Sequence, residues 1–441
     1  MSTSYLRAPI IRISESNGNF SLNYLQMKYQ VKNISPNNFE QCIKCTICTV
    51  YCPVLAVNPD YPGPKQAGPD GERYRLKNPD FYDAALKYCL NCKQCEVACP
   101  SNVRIGDIIQ TARLRYDSNP VSLRDKMLAS TDFMGKVATS LSFIVNPMLK
   151  LPVTKNLMNH TLRIDRHRTF PKYASSTFES WMRHKAPDQK RFPNRISYFH
   201  GCYVNYNNPD LGRDFVKVLN AVGYGVELLE KERCCGVAKI ANRMIDEAKR
   251  DARLNIDSMR KSVEEGRPVI ATSSTCVFTI RDEYPHLLDI DNADIRDNIL
   301  LATAFLNKLV DEGRIKLVFR KDYSKRITYH TPCHMQKLGW ALHSVSLLKS
   351  IPGVQMVPIE STCCGIAGTY GFKKENYPYS QAIGRELFDR ILATGVDMVA
   401  TDCETCKWQI EMSTGVRTEN PISIIADALD VEATMKANGV K

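Results

Sequence analysis

Long apolar runs are missing from this sequence. No stretch reaches the roughly 18 uninterrupted apolar residues that a membrane-spanning helix needs, and the most apolar segment, residues 137–153, is broken by Pro147, Lys150 and Pro152. A signal peptide, with its basic start, apolar run and small-residue cleavage site, is also missing. These absences predict a chain that does not span a membrane by itself and that works in a reducing compartment. There its 17 cysteines are expected to bind metals rather than to form disulfides.

Nucleotide and nucleic-acid signals are missing too. No glycine-rich fingerprint opens a βαβ unit, which argues against a dinucleotide site of that type. The net charge is +12, and residues 150–195 carry eleven Lys or Arg against three acids. This basic stretch has no recognition-helix motif and no interleaved aromatic residues, so we expect no nucleic-acid partner. It is either a solvated face or a surface for anionic lipid or an acidic protein.

The apolar segment at residues 141–151 has two interpretations. It is either an amphipathic helix lying on a membrane surface or, more commonly for such segments, a helix packed against a neighbouring domain. A chain without a spanning helix can still lie on a membrane, so a peripheral attachment through residues 141–195 is the expectation.

What the sequence does contain is a cysteine pattern that occurs twice. Both copies read C-x2-C-x2-C-x3-C-P, and they consist of Cys42, Cys45, Cys48 and Cys52, and then of Cys89, Cys92, Cys95 and Cys99. In bacterial two-cluster ferredoxins this run gives three thiolates to one [4Fe–4S] cluster and the fourth to the other cluster. The pattern predicts one cluster on Cys42, Cys45, Cys48 and Cys99, and a second on Cys89, Cys92, Cys95 and Cys52.

Zinc is the alternative metal for these eight cysteines, because structural zinc sites also use CxxC pairs. Such sites need no third thiolate three residues further on and no proline after the fourth, so iron–sulfur is the preferred prediction and disulfides come last. Each predicted site borrows a ligand from the other run. Metal binding and folding of this region should therefore be coupled.

Two segments around the second run have readable patterns. Residues 58–78 are rich in Pro and Gly and are predicted to form a loop over the clusters. After the run, Ile105, Ile108, Ile109 and Ala112 share one helical face, which predicts a helix packed on the metal-binding region.

The C-terminal half is an internal repeat. Cys202, Cys234, Cys235 and Cys276 recur about 130 residues later as Cys333, Cys363, Cys364 and Cys406. Each copy alternates strand-like and helical segments, which predicts a parallel sheet covered by helices. The strands are expected at residues 196–199, 226–229 and 269–271, and at 327–329, 356–359 and 398–400. Ligands of such sheets bind beyond the carboxyl ends of the strands, where these cysteines fall, so each set should converge on one spot.

The second copy has a fifth cysteine, Cys403, where the first has Ser273. Five thiolates exceed what one zinc or one cubic cluster needs, so the second copy is predicted to hold a metal–sulfur centre of unusual shape, with zinc or a redox disulfide as alternatives. The first copy either binds a metal differently or is largely structural. Gly236 and Gly365 fit a tight turn that lets the backbone approach a bound group, or a plain turn. His334 is expected to be a hydrogen-bonded core residue rather than a ligand or a proton handler.

The predicted organisation is multidomain. An N-terminal extension (1–36) precedes a small, mostly α, ferredoxin-like domain with two [4Fe–4S] clusters (37–117) and a helical, basic linker (118–195). Two tandem α/β repeats with parallel sheets follow, at residues 196–326 and 327–441.

Six stretches carry a resemblance to a known family. They are CIKCTIC at 42–48, residues 58–73 with PGPKQAGPDGER, ATSSTC at 271–276, YHTPCH at 329–334, residues 363–376, and DCETCKWQIEMS at 402–413. Together they resemble the CCG-repeat iron–sulfur subunits, a family that includes the B subunits of heterodisulfide reductases, the glycolate oxidase iron–sulfur subunit and lactate-utilisation proteins. The likeness is closer still to the C subunits of anaerobic glycerol-3-phosphate dehydrogenases. It covers residues 37–430, and Ser273 departs from the full CCG pattern.

The resemblance implies an electron-transfer subunit. Such a subunit accepts electrons from a flavin-containing catalytic dimer of A and B subunits, which oxidises glycerol 3-phosphate to dihydroxyacetone phosphate, and passes them to membrane quinone in anaerobic respiration. It carries two [4Fe–4S] clusters, a possible additional iron–sulfur centre in the second repeat and no flavin, and it lies peripherally on the cytoplasmic face of the inner membrane. Two alternatives remain: an enzyme that reduces disulfides or quinone at the 363–406 site, and a metal-stabilised interaction or nucleic-acid-binding protein, which the net basicity suggests.

Overall fold

The computed structural model describes residues 38–78 and 81–440, so the predicted extension at 1–36 lies outside the described residues. The first described region is built from short helices and tight turns. It contains α1 (Ile47–Val50), α2 (Gly71–Lys77), α3 (Gln94–Val97) and α4 (Ile105–Tyr116), with 3-10 turns at Phe39–Gln41 and Ala84–Tyr88. The four residues predicted to share one face of α4 are all buried, which confirms that prediction.

The predicted loop at residues 58–78 is wrong. A π-helical turn at Gln66–Asp70 runs directly into α2. Arg75, fully buried, forms an ion pair with Glu72 at 3.0 Å and donates to the carbonyl of Ala67 at 3.2 Å. Gly68 lies so close to Ile105 that an added Cβ would meet its side chain at 2.9 Å. The glycine and proline residues of this segment therefore allow close packing against α4 and do not form a flexible loop.

The next region, residues 118–195, has five helices as its longer elements. It contains α5 (Leu123–Ala129), α6 (Thr131–Ser140), α7 (Ser142–Met148), α8 (Pro152–Thr161) and α9 (Phe178–His184). Among the described residues, no helix has both the length and the apolar character required to cross a membrane. Helix α6 packs closely on the following repeat, because Gly135 leaves no room for a Cβ beside the ring of Tyr206.

The first repeat is a parallel four-stranded sheet in the order β2-β1-β3-β4. Its strands are β1 (Asn194–Phe199), β2 (Tyr224–Leu228), β3 (Val269–Ala271) and β4 (Ile299–Leu301). Its helices are α10 (Gly201–Tyr206), α11 (Pro209–Ala221), α12 (Val237–Ala241), α13 (Ile245–Glu264), α14 (Ser274–Phe278), α15 (Tyr284–Leu287) and α16 (Ala302–Asp311). All of β3 and the last four residues of β1 are buried, as expected for a parallel sheet covered on both faces.

The second repeat has the same topology, in the order β6-β5-β7-β8. Its strands are β5 (Lys325–Tyr329), β6 (Val354–Met356), β7 (Met398–Ala400) and β8 (Thr418–Glu419). Its helices are α17 (Cys333–Leu338), α18 (Ala341–Lys349), α19 (Tyr377–Thr394), α20 (Glu404–Thr414), α21 (Pro421–Ala428) and α22 (Val431–Ala437). The predicted fold class is confirmed. The strand predicted at 356–359 lies earlier, at β6, and the short fourth strand of each sheet was not predicted.

The two repeats share one hydrophobic core. Ile196 and Val226 of the first sheet belong to the same buried cluster as Ile327 and Met398 of the second. The backbone amide of Ser274 donates to the carbonyl of Asp402 across the boundary at 2.8 Å. The carboxyl ends of the two sheets are therefore held in contact, which brings their cysteine loops near one another.

Candidate iron–sulfur centres

Both ferredoxin-type cysteine runs have the same backbone shape. In the first run Lys44 and Thr46, on either side of Cys45, have φ of 61° and 63°. In the second, Asn91 and Lys93 flank Cys92 with φ of 55° and 64°. Left-handed residues are uncommon outside glycine, and alternation with right-handed residues turns successive N–H groups inward, as at many iron–sulfur sites. The backbone thus fits an anionic cluster in each run.

The eight thiols fall into two groups of four. Burial raises the pKa of Cys48, and the charges of Cys42, Cys99 and Cys45 raise it further. Burial also raises the pKa of Cys52, to about 12, and Cys92 and Cys89 add to the shift. The fourth cysteine of each run therefore lies with the other run. Because buried thiols resist ionisation, these sites suit a bound metal that holds the sulfurs as thiolates.

A buried ion network supports the second run, and sequence analysis missed it. Lys93 is fully buried and forms ion pairs with Asp107 and with Glu96. Glu96 also accepts hydrogen bonds from the amides of Gly106, at 2.9 Å, and Asp107. These contacts fix the start of α4 against the cysteines. A lysine and a glutamate inside a C-x2-C-x2-C-x3-C run were the available signal.

The second run also touches both repeats. Arg104 forms an ion pair with Asp282 of the first repeat at 3.0 Å. Gln94 donates to Gln336 of the second repeat at 2.5 Å. The pKa of Cys92 is raised first by a hydrogen bond with Cys333 and then by burial. A thiol of the ferredoxin-like region is thus in direct contact with the first cysteine of the second repeat.

The five cysteines of the second repeat lie between two hydrophobic clusters. Cys333 and Cys363 pack into the hydrophobic cluster of the ferredoxin-like region. The sulfurs of Cys364 and Cys406 lie 3.3 Å apart, and a hydrogen bond with Cys406 lowers the pKa of Cys403 to about 6. A hydrogen bond with Cys363 raises the pKa of Cys333, and the charge of Cys364 raises it further. All five therefore lie together beyond the carboxyl ends of the strands, as predicted.

The four thiols of the first repeat form a continuous row. A hydrogen bond with Cys234 raises the pKa of Cys202, and hydrogen bonds with Cys234 and Cys276 raise the pKa of Cys235. The hydroxyl of Ser273 accepts from the amide of Cys276 at 3.3 Å and donates to Glu404 at 2.9 Å. The serine at the position of the fifth cysteine is thus a helix cap that ties α14 to α20.

The two predicted turn glycines have left-handed backbones. Gly236 has φ of 88° and Gly365 has φ of 82°. At Gly365 an added Cβ would lie 2.1 Å from the carbonyl oxygen of Ser380. The close approach at that glycine is to the backbone of α19 rather than to a ligand.

Two histidines near the second repeat have different surroundings. The ring of His334 stacks on Phe278 with centroids 4.6 Å apart and contacts the carbonyl of Asn91, as expected for a core residue. His330, which sequence analysis did not single out, is fully buried beside Cys364 and Cys406. Its position directly after β5, at the ligand-binding end of the sheet, was the signal that could have found it.

A cavity of about 640 Å³ lies between the two repeats. Tyr203, Trp408 and Phe170 line it together with Asp214, Lys217 and Lys407. Trp408 and Phe170 also pack against the hydrophobic cluster that contains Cys364, Cys403 and Cys406. The cavity is large enough for a small molecule.

Comparison with known proteins defines the class first. The 4Fe-4S dicluster domain family matches residues 38–103, and the cysteine-rich CCG domain family matches residues 196–281 and 327–411. Together with the thiol groups described above, these matches define an iron–sulfur protein with one dicluster region and two cysteine-rich repeats.

Individual relatives narrow the class. The C subunit of anaerobic glycerol-3-phosphate dehydrogenase of Escherichia coli K12 is 56% identical over 397 residues, which cover 90% of this chain and 100% of the relative. The glycolate oxidase iron–sulfur subunit of the same organism is 26% identical, over 89% of this chain and 94% of its own. The B subunit of fumarate reductase (CoM/CoB) of Methanothermobacter marburgensis is 26% identical, over 88% and 72%. The chain belongs to the family of anaerobic glycerol-3-phosphate dehydrogenase C subunits.

Proposed function

We propose that this chain is the electron-relay subunit of an anaerobic glycerol-3-phosphate dehydrogenase. It takes electrons from the flavin-containing A and B subunits and passes them to membrane quinone at the cytoplasmic face of the inner membrane. The eight ferredoxin-type cysteines hold two [4Fe–4S] clusters, and the second repeat holds a further iron–sulfur centre. Such centres, when bound, supply one-electron transfer, and the surrounding thiolates, hydrogen bonds and burial set their potentials.

The observation that carries this proposal is the continuity of the thiol sites. The first group of four lies against the second because the two runs exchange Cys52 and Cys99. The second group contacts the second repeat through Cys92 and Cys333. Three sites therefore follow one another without an intervening domain, which is the arrangement that a relay needs.

We place the point at which electrons enter the chain at the first thiol group. Cys45 is exposed, whereas Cys48 and Cys52 are buried. Around it Ile43, Val50 and Tyr51 are also exposed, by 66%, 82% and 60%. An exposed apolar surface beside a cluster ligand is suited to docking a partner protein, and we place the flavin-containing subunits there.

Helices α5 to α8 supply the membrane surface. Ten of the 21 exposed large apolar side chains of the described chain fall within residues 123–157. We call this set the apolar face: Leu123, Phe133, Val137, Leu141, Phe143, Ile144, Met148, Leu151, Val153 and Leu157. Residues 133–164 contain no Asp or Glu but four Lys or Arg. Apolar side chains with an excess of positive charge around them favour an anionic lipid surface.

We place the site at which quinone accepts electrons in the cavity between the repeats. Its wall includes Phe170 and Lys172, and this segment is joined to α7 because the side chain of Asn146 exchanges two hydrogen bonds with the backbone of Tyr173, at 2.8 and 2.9 Å. The cavity thus shares a wall with the helices of the apolar face. The ring of a quinone could therefore bind in the cavity while its tail stays in the membrane beside the apolar face.

The decisive experiment is metal analysis of anaerobically purified protein. Iron and acid-labile sulfide per chain are measured with zinc alongside, and the reduced state is examined by electron paramagnetic resonance (EPR). Two clusters give about eight irons per chain, and a further centre gives about twelve or more. We expect the larger number, together with reduction of all centres by glycerol 3-phosphate when the A and B subunits are added. Eight irons would remove the second repeat from the relay.

A further inference from the structure

Arg168 is a buried cation without a counter-charge. Among the described residues, three Lys or Arg side chains are buried: Arg75, Lys93 and Arg168. Arg75 and Lys93 form ion pairs with buried carboxylates. Arg168 instead donates to the neutral amide oxygen of Gln409 at 2.5 Å, and its Nε and Nη2 have no hydrogen-bond partner in the part of the chain that the structure describes. Because an isolated buried charge is strongly destabilising, an anionic group is expected beside it.

The guanidinium of Arg168 lies next to the thiols of the second repeat. It lies over the ring of Phe372, 4.7 Å from the centroid, and Phe372 belongs to the same hydrophobic cluster as Cys364 and Cys406. Gln409 follows Cys406 by three residues on α20, so the two side chains are neighbours on that helix. Burial lowers the pKa of Arg168 to about 10, and the charge of Cys364 is one of those that oppose the shift. The group therefore stays positive at neutral pH.

The backbone around Arg168 fixes its position. The amide of Asp165 donates to the carbonyl of Phe372 at 2.9 Å. Next to this bond an antiparallel bridge joins Ile164 to Lys373. The amide of Arg168 then donates to the carbonyl of Asp165 at 3.2 Å. One cation of the basic stretch is thus held inside the second repeat and faces neither solvent nor lipid.

We propose that Arg168 is the counter-charge of the iron–sulfur centre in the second repeat and raises its reduction potential. This rests on the proposed function, which places a centre in that repeat. Thiolate ligands make such a centre anionic, and the electron that reduces it adds negative charge. A buried cation stabilises the reduced form more than the oxidised form, because the interior screens their attraction only weakly, and net charge is one of the factors that set the potential. The electron comes from the adjoining ferredoxin-type cluster, and Arg168 keeps its proton.

The test is a redox titration of the anaerobically purified, iron-loaded protein followed by EPR. The signal of the third centre is the one that Cys364→Ser lacks. Arg168→Met keeps an apolar side chain on Phe372 but removes the charge, and it should lower the midpoint potential of this signal by about 59 mV or more, which is tenfold in a one-electron equilibrium. Arg168→Lys should keep most of the potential. Arg166→Met is the matched control, because Arg166 is exposed and solvent screens its charge.

A second variant, Gln409→Glu, keeps the proposal testable if Arg168→Met does not fold. The new side chain has nearly the same shape as glutamine and gives Arg168 a carboxylate partner. This carboxylate should cancel the positive charge at the centre and lower the midpoint potential, in the same direction as Arg168→Met.

The outcomes separate the two proposals. An iron-loaded Arg168→Met protein with the wild-type midpoint potential overturns the counter-charge and leaves the relay standing. An unchanged midpoint in Gln409→Glu does the same. About eight irons per chain and no third signal in the wild-type protein overturn both the centre and the role of Arg168 that rests on it.

Discussion

The rings of Phe278 and His334 stack across the boundary between the two repeats, with centroids 4.6 Å apart and planes at 24°. The equivalent positions, Trp408 and Tyr203, also meet, at 5.5 Å and 65°. In each case the aromatic residue two positions after the last cysteine of one repeat meets the residue that follows the first cysteine of the other. The repeats therefore associate like the two halves of a pseudo-symmetric dimer.

This pseudo-symmetry is broken by what lies around each pair. His334 contacts the backbone of Asn91, so the ferredoxin-like region covers one pair. The other pair, Tyr203 and Trp408, opens into the cavity of about 640 Å³. One side of the pseudo-dimer is thus joined to the ferredoxin-like region, while the other side is accessible to a small molecule.

The exchange of cysteines between runs can be tested with single substitutions. Cys52→Ser should remove the cluster of the second run, whereas Cys45→Ser should remove that of the first, because Cys52 lies with Cys92 and Cys89. Each variant should lose about four irons per chain and a different EPR signal. Loss of the first-run signal in Cys52→Ser would contradict the exchange.

The buried pair of Arg75 and Glu72 should be important for stability. Arg75→Met leaves Glu72 buried without its partner, which should cost on the order of 3–5 kcal/mol. Arg73→Met is the matched control on the same helix, because its pair with Asp70 is partly exposed and should contribute at most about 1 kcal/mol. Thermal unfolding of the anaerobic, iron-loaded proteins measures both. Equal midpoints for the two variants would show that burial of the pair is not important.

The apolar face should bind anionic membranes. Phe133→Ser combined with Phe143→Ser should weaken sedimentation with vesicles of phosphatidylglycerol by about a hundredfold or more, because each buried phenylalanine contributes about 1.5–3 kcal/mol. Leu392→Ser is the control, since Leu392 is exposed on α19, outside this face. Equal binding by all three proteins would assign membrane attachment to another part of the chain or to a partner.

Trp408 should contribute to quinone binding. Trp408→Leu removes an aromatic wall of the cavity and should weaken binding of menadione, a soluble naphthoquinone, by about two- to tenfold, since aromatic stacking contributes about 0.5–1.5 kcal/mol. Trp340→Leu is the matched control, because Trp340 packs under Arg281, away from the cavity. Calorimetric titration measures the dissociation constants, and unchanged binding in Trp408→Leu would place the quinone site elsewhere.

The positions of the cysteines were readable from the sequence because a metal-binding run fixes its own spacing. The strands β1, β3, β5 and β7 were readable for a related reason, since each ends in a short, mostly apolar run that lies three to five residues before a cysteine. In contrast, β4 and β8 have three and two residues and no cysteine follows them to mark their ends. Such lengths are too short for alternation of apolar and polar residues to be visible.

The parts that sequence analysis missed depend on tertiary contacts. Arg75 makes α2 part of the core only because Glu72 and a backbone carbonyl satisfy its charge. His330 lies beside Cys364 and Cys406 only in the folded chain, and a single histidine has no spacing pattern. The contact of Cys333 with Cys92 likewise arises from the docking of the ferredoxin-like region on the second repeat, which no local pattern encodes.

Helix α6 connects the outside of the protein to a cysteine loop within a single turn. Phe133 and Val137 belong to the apolar face, while the carboxylate of Asp132 accepts a hydrogen bond from the amide of Cys234 at 2.9 Å. A shift of α6 on membrane binding would therefore move the carboxylate that accepts the hydrogen bond of Cys234. Thermodynamic linkage makes such coupling reciprocal: the state of the thiols of the first repeat would change the affinity of the outer face by the same factor.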